Sequence, residues 1–170
     1  MFVDNIGGDL HALSHRLHSS ALEILELSQN IGPLCAEFAR EYGIQIDFDC
    51  VGVPQSISPE VKLCLFRIVQ EGLRNVIKHS RASRVEVRVK GNSKMVSLTL
   101  SDNGVGFDVC DHASLGIGVQ SMKERARTLG GTLEVRSEHM RGTQIAVVVP
   151  LERIHSMPSP LSAIEKNPSS

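Results

Sequence analysis

The 170-residue chain lacks both of the common glycine-rich phosphate motifs. No lysine follows a glycine, so the GxxxxGK[ST] loop is absent, and neither of two closely spaced glycine pairs has the third glycine of GxGxxG. A nucleotide site in this chain would therefore be of another kind.

Reactive cysteine pairs, long apolar runs and excess charge are also missing. The four cysteines include no CxxC pair, which favours free thiols in a reducing compartment. No run approaches the roughly 20 apolar residues that span a bilayer, and the N-terminus lacks the layout of a signal peptide. A net charge of -1 does not favour nucleic acid as a partner. We expect a cytoplasmic chain, and membrane anchoring upstream in a longer protein stays open.

The remaining composition suits one folded domain. With 41% hydrophobic and 22% charged residues, the chain can bury one core. Residues 1–42 are predicted to be helical, with Gly32-Pro33 interrupting the run so that a second helix begins near Pro33. Residues 152–170 contain several prolines and serines and too little apolar content to pack, so this tail is predicted to be disordered.

Residues 43–151 alternate between strand and helix patterns. Period-two alternation predicts about five strands, near residues 44–49, 85–89, 96–100, 133–137 and 144–149. Ser58-Pro59-Glu60 is a helix start, and that helix should run to about His79, while another should cover Val119 to Leu129. These elements predict an α/β two-layer sandwich: a mixed sheet with helices on one face and the other face largely exposed to water.

A glycine-rich stretch, Asp102–Phe107 (DNGVGF), follows one of the predicted strands. Asp102 should therefore lie where the sheet ends and a loop opens. Gly104 and Gly106 allow positive φ and close approach to a ligand, and a neighbouring carboxylate can accept a hydrogen bond. This combination suits a nucleotide base. Ordinary turns contain similar strings, and that alternative stays open for this stretch alone.

The predicted long helix places polar side chains on one face. Glu71, Asn75 and Lys78 fall at i, i+4 and i+7, with His79 at the edge. A carboxylate and an amide oxygen one turn apart are ligands of the kind that Mg²⁺ takes, with waters and phosphates completing its shell. A solvated face of an amphipathic helix is the alternative reading of the same spacing.

Taken together, these motifs resemble the GHKL ATPase superfamily. Glu71–His79 resembles its N box, Asp102–Gly106 its first glycine box, Gly116–Gly118 its second, and Arg141–Thr143 its final GT element. The four elements occur in the expected order. Within the superfamily, the chain is most similar to bacterial two-component sensor histidine kinases of the class paired with helix-turn-helix response regulators, in which residues 107–115 would form a compact ATP lid.

The resemblance implies a role for each matching residue. Asp102 would accept the adenine amino group, Gly104 would let the base lie close, and Thr143 would join through its hydroxyl. Asn75 would ligate Mg²⁺, and Glu71 would be the catalytic residue that orients or deprotonates the attacking group. The remaining ATP-binding positions would surround the phosphates or support the base: Lys78, His79, Gly106, Gly116 and Gly118. For Lys78 and His79, helix-terminal cations without a ligand are the alternative.

Three N-terminal histidines, His11, His15 and His18, could share a helix face. No cysteine or acidic ligand pattern supports a metal site there. The kinase class places an acid directly after its acceptor histidine and a glutamate two residues before it, whereas Ser19 and Arg16 flank His18. His18 is therefore not expected to be the phosphoacceptor.

The segment Ala12–Ser19 resembles instead the second helix of a dimerisation hairpin. On that interpretation the phosphoacceptor helix lies upstream of Met1, this chain contains no phosphoacceptor, and the full-length protein is a homodimer. The implied function is transfer of the ATP γ-phosphoryl to a histidine, with a response regulator as a further partner. Two alternatives stay open: a non-catalytic ATP-gated interaction module, and a serine kinase of the anti-sigma-factor kind.

Overall fold

A computed structural model describes residues 26–107 and 116–151. The predictions for the N-terminal histidines and hairpin helix, for the lid between Phe107 and Gly116, and for the tail after Leu151 lie outside the described residues.

Five strands of the described chain form one mixed sheet in the order β1-β2-β3-β5-β4. Their bounds are β1 Gln45–Val51, β2 Arg84–Gly91, β3 Met95–Asp102, β4 Thr132–Glu138 and β5 Gly142–Pro150. β1 and β2 are parallel, and the other neighbours are antiparallel. The predicted mixed α/β sheet is confirmed.

The strand register separates an apolar face of the sheet from a polar one. One row across four strands is buried throughout and consists of Val89, Leu98, Val147 and Leu133. The adjacent row on the opposite face consists of Arg88, Thr99, Ala146 and Glu134, none of which is buried. The alternation seen in the sequence therefore assigns the faces correctly, because successive strand residues point to opposite sides.

Three α-helices of the described chain cover the apolar face: α1 Leu27–Tyr42, α2 Pro59–Asn75 and α3 Ile117–Thr128. α2 begins as predicted, since Ser58 accepts a hydrogen bond from the backbone of Val61 at 3.4 Å and Pro59 stands at the first turn. Leu65, Ile68 and Val69 of α2 have no measurable exposure, so this helix crosses the centre of the core. None of the described helices is long and apolar enough to cross a membrane.

The prediction that a helix begins near Pro33 was wrong. α1 starts at Leu27 and contains Pro33 as an exposed residue in its interior. Proline removes one backbone hydrogen bond from a helix, but Leu27, Ile31 and Cys35 are all buried on the other face of α1. Packing of that face outweighs the local cost, which sequence reading overestimated.

At its end, α2 continues into a π-helical segment, Val76–Ser80. Arg81 ends it in the left-handed region at φ 52°. Because a π-helix closes i→i+5 hydrogen bonds, each residue turns less about the axis than in an α-helix. This change of period decides which side chains at the end of the helix face the sheet.

Candidate functional site

A cavity of about 430 Å³ opens between α2, the ends of β3 and β5, and the start of α3. Its apolar wall comes from the sheet, the helices and the loop after β3: Val76, Leu100, Phe107, Val119, Val135 and Ile145. Its polar side chains are those of Asn75, His79, Ser80, Asp102 and Thr143. A mainly apolar chamber with a few polar groups in its lining is typical of a ligand site.

Asp102 is the buried carboxylate of this cavity. It ends β3, as the sequence predicted, and its exposed fraction is only 9%. Its Oδ1 accepts a hydrogen bond from the backbone N–H of Gly104 at 2.8 Å. The backbone N–H of Thr143 and the hydroxyl of Ser80 also donate to this carboxylate. Loop, sheet and helix thus converge on one side chain.

Burial raises the pKa of Asp102 above its ordinary value of 3.8, while the hydrogen bonds from Gly104, Thr143 and Ser80 oppose that rise. These donors stabilise the ionised form of the buried carboxylate. The carboxylate can therefore act as a hydrogen-bond acceptor toward a ligand, and it selects for a ligand with a donor.

Gly104 and Gly106 are required by backbone packing. A Cβ on Gly104 would lie 2.7 Å from the Cβ of Ser80 and 2.8 Å from Oδ1 of Asp102. Gly106 has φ 59°, and a Cβ there would overlap the carbonyl oxygen of Glu138. Gly106 lines the cavity, whereas Gly104 supports it through Asp102. The glycine spacing thus lets the loop after β3 pack against the end of α2 and the β4–β5 turn.

The side chains that line the cavity from the end of α2 and the π-helical segment differ from those that a regular 3.6-residue spacing predicts. Asn75, His79 and Ser80 line the cavity. Lys78 is exposed and is not among the lining residues, because the wider π turn brings the next residues round toward the sheet. A phosphate-binding role for Lys78 stays a prediction.

Glu71 lies one turn before Asn75 and borders a second depression between α2 and α3. Its carboxylate is 3.9 Å from the guanidinium of Arg74. Arg67 and Arg125 line the same depression, and burial together with the charges of Arg125 and Arg74 lowers the pKa of Arg67. Glu71 is thus a carboxylate in a predominantly cationic surrounding beside the cavity.

The second glycine pair opens α3. Gly116 is the N-cap residue, and a Cβ on it would meet nothing within 4 Å. Gly118 differs, because a Cβ there would overlap Oε1 of Glu71. Both glycines line the cavity, so the first turn of α3 lies at its edge. Such a helix start can bind an anion.

Two serines at the site were missed by sequence reading. Ser80 is 7% exposed and joins α2 to the glycine loop, because its carbonyl accepts from Val105 N–H at 2.8 Å. Ser137 lies directly opposite Thr143 in the β4–β5 register, with 2.9 Å between their hydroxyl oxygens. A signal existed for Ser137, since it continues the inward-facing series of Leu133 and Val135 with a polar residue.

Comparison with known proteins assigns the family. Residues 60–153 match the family described as histidine kinase-, DNA gyrase B-, and HSP90-like ATPase. This match covers more than half of the chain and includes all four motifs, so the protein belongs to this ATPase family.

Its curated relatives are sensor histidine kinases. The chain is 39% identical to the sensor histidine kinase LiaS of Bacillus subtilis, over 88% of this chain and 42% of the relative. It is 32% identical to the histidine-protein kinase/phosphatase DegS of Brevibacillus brevis, over 84% of this chain and 37% of the relative. The chain therefore spans about two fifths of the length of these relatives.

Solved structures agree on the fold. The histidine kinase domain of the blue-light activated histidine kinase EL346 from Erythrobacter litoralis matches with a TM-score of 0.60 at 20% identity. The match covers 76% of this chain and 63% of that one. The α/β sandwich is thus shared with a histidine kinase domain.

Proposed function

We propose that the chain binds ATP with Mg²⁺ and transfers the γ-phosphoryl group to a histidine in a two-component system. The observation that carries the proposal is the buried Asp102 carboxylate, which accepts from three donors and lines a largely apolar cavity. That arrangement suits a planar base with an exocyclic amino group, which supplies the missing donor.

The base would lie between the apolar walls, with its amino group toward Asp102 and the hydroxyl of Thr143. Gly104 contributes by holding the carboxylate in position, and Gly106 by bringing the loop close to the β4–β5 turn. A 6-oxo purine would place an acceptor oxygen against the acceptor oxygens of the carboxylate, with no donor between them. Selection for adenine follows from that mismatch.

The triphosphate would extend toward the start of α3. There Gly116 and Gly118 present backbone N–H groups and the positive end of the helix dipole to the phosphates. His79 lines the cavity and is in place to contact a phosphate, and the exposed Lys78 would need its long side chain to reach one.

The residues of α2 fit a Mg²⁺ ion bound mainly through phosphate oxygens and water. Asn75 offers an amide oxygen at the cavity wall, and Glu71 offers a carboxylate one turn away. The ion would neutralise charge that develops during phosphoryl transfer. Glu71, beside Gly118 and the phosphate end, would orient or deprotonate the attacking histidine.

The partners follow from this reaction. We propose a dimerisation helix that carries the acceptor histidine, a homodimeric full-length protein, and a response regulator that receives the phosphoryl group. The proposal includes a cytoplasmic location, since ATP and response regulators are both found there.

Calorimetric titration of the whole chain with ATP and GTP, each with and without Mg²⁺, tests the nucleotide part. We expect binding of ATP, tighter with Mg²⁺, and much weaker binding of GTP. Equal binding of both nucleotides would contradict the assignment of Asp102. The Asn75→Ala variant is the matched control for the metal, because it should lose the Mg²⁺ enhancement and retain the base preference.

Phosphoryl transfer is tested by adding a separate polypeptide that contains a dimerisation helix with a phosphoacceptor histidine, together with γ-labelled ATP. Acid-labile, alkali-stable label on that polypeptide is expected, because phosphohistidine has those properties. Nucleotide binding without any label would favour an ATP-gated interaction module. Acid-stable label would favour a serine kinase.

A further inference from the structure

Ser137 is the centre of a small hydrogen-bond network behind the cavity. Its Oγ accepts from the backbone N–H of Phe107 at 2.9 Å. It also lies 3.1 Å from the carbonyl oxygen of Gly142 and 2.9 Å from Oγ1 of Thr143. The side chain is part-buried and faces inward from β4, so its hydrogen bonds are made to the protein.

The protons of this network can be counted. A serine hydroxyl has one proton and two lone pairs. Phe107 N–H takes one lone pair, and the carbonyl of Gly142 can only accept, so it takes the proton. The second lone pair is then left for the hydroxyl proton of Thr143. Every hydrogen-bonding group of Ser137 is satisfied in this arrangement.

In the arrangement that makes all three contacts hydrogen bonds at once, the Thr143 hydroxyl donates its proton to Ser137, so only lone pairs of Oγ1 remain for a ligand. Asp102, which receives the backbone N–H of the same Thr143, is also an acceptor. Asp102 and Oγ1 of Thr143 therefore both act as acceptors toward a ligand, and the hydroxyl of Thr143 is not available as a donor.

We propose that Ser137 is a positioning residue that holds the Thr143 hydroxyl as a pure acceptor and thereby sets the selectivity for 6-amino over 6-oxo purine nucleotides. This inference rests on the proposed binding of a nucleotide base in the cavity. Without Ser137 the hydroxyl of Thr143 is released, can turn its proton toward the ligand, and can then donate to a 6-oxo group.

The test compares ATP with inosine triphosphate, which differ in the purine ring only at position 6 and its protonated neighbour. In the Ser137→Ala variant we expect the ratio of the two affinities, measured by calorimetry, to fall about 3- to 10-fold, the effect of exchanging one hydrogen bond. Ser97→Ala is the matched control: Ser97 also bonds a backbone carbonyl, that of Lys90, but from the outer face of β3. Its ratio should not change.

A double-mutant cycle separates positioning from a general structural effect. If Ser137 acts through Thr143, Thr143→Val should lower the ratio, and adding Ser137→Ala to it should produce no further fall. An additive fall, an unchanged ratio in Ser137→Ala, or an equal loss of affinity for both nucleotides would overturn the inference. Failure of the wild-type chain to bind ATP would instead refute the proposed function.

If circular dichroism shows that Ser137→Ala does not fold, the same fall in the ratio of the two affinities is expected for Ser137→Cys. It keeps the approximate size of the side chain, but a thiol forms only weak hydrogen bonds. A wild-type ratio in a folded Ser137→Cys protein would then overturn the inference.

Discussion

Asp102→Asn is the single substitution that tests the role of this carboxylate most directly. Three donors reach the Asp102 carboxylate: the backbone N–H groups of Gly104 and Thr143 and the hydroxyl of Ser80. An amide keeps one acceptor oxygen and replaces the other with a donor. The new NH₂ group must then face one of these donors or the amino group of adenine.

The cost of that mismatch sets the expected effect. Leaving a buried polar group mispaired costs about 1–3 kcal/mol. ATP binding should therefore weaken by about 5- to 150-fold. The fold should persist, because Oδ1 can still accept from Gly104 and the hydroxyl of Ser80 can rotate.

Calorimetry with ATP and circular dichroism on both proteins measure the two effects separately. Asp49→Asn is the matched control, since Asp49 is exposed on the edge strand β1 and does not line the cavity. Unchanged ATP affinity in a folded Asp102→Asn protein would remove this carboxylate from the base site and refute the reasoning.

Because the pKa of Asp102 is raised, both the stability of the fold and the affinity for ATP should depend on pH, each in a direction that can be predicted. Burial moves the pKa above 3.8, so protonation begins at a higher pH than in the unfolded chain. For folding, the cost of the ionised group is absent at low pH and grows as pH rises through this window. The affinity for ATP depends on pH in the opposite direction. Protonation of Asp102 at low pH replaces an acceptor with a donor and so weakens binding. The ratio of the ATP affinity of the wild-type protein to that of Asp102→Asn should fall on acidification. Protonation of ATP itself affects both proteins equally and does not change this ratio.

Further predictions concern the metal and the backbone. Asn75→Ala should reduce the gain in ATP affinity on adding Mg²⁺, and equal gains in both proteins, measured against EDTA, would favour a solvated helix face. Gly142→Ala should lower the free energy of unfolding in urea by about 2 kcal/mol or more, because φ is 81° and the added Cβ would overlap the carbonyl oxygen of Asp102. Met140→Gly should raise the melting temperature by a few degrees, corresponding to about 0.5–1 kcal/mol, because Met140 is 70% exposed and held at φ 62°. A lower melting temperature would show that strain at Met140 is smaller than the entropy cost of glycine.

Local chemistry in the chain was enough to predict much of the site. Alternation over 96–100 placed Asp102 at the end of a strand, and the glycine pair after it predicted a loop with positive φ, which Gly106 adopts. Ser58 and Pro59 predicted the start of α2 because a cap and an N1 proline act within one turn. Such features depend on neighbours in sequence, and the sequence therefore determines them.

Contacts between elements were decided only by the tertiary structure. Pro33 remains inside α1 because the opposite face of that helix is buried, and Lys78 is not among the residues that line the cavity because the chain adopts a π turn after Asn75. Ser137 reaches Thr143 only through the β4–β5 register. A period along the chain tells which residues share a face, but which faces meet depends on packing and on backbone irregularities that no local pattern specifies.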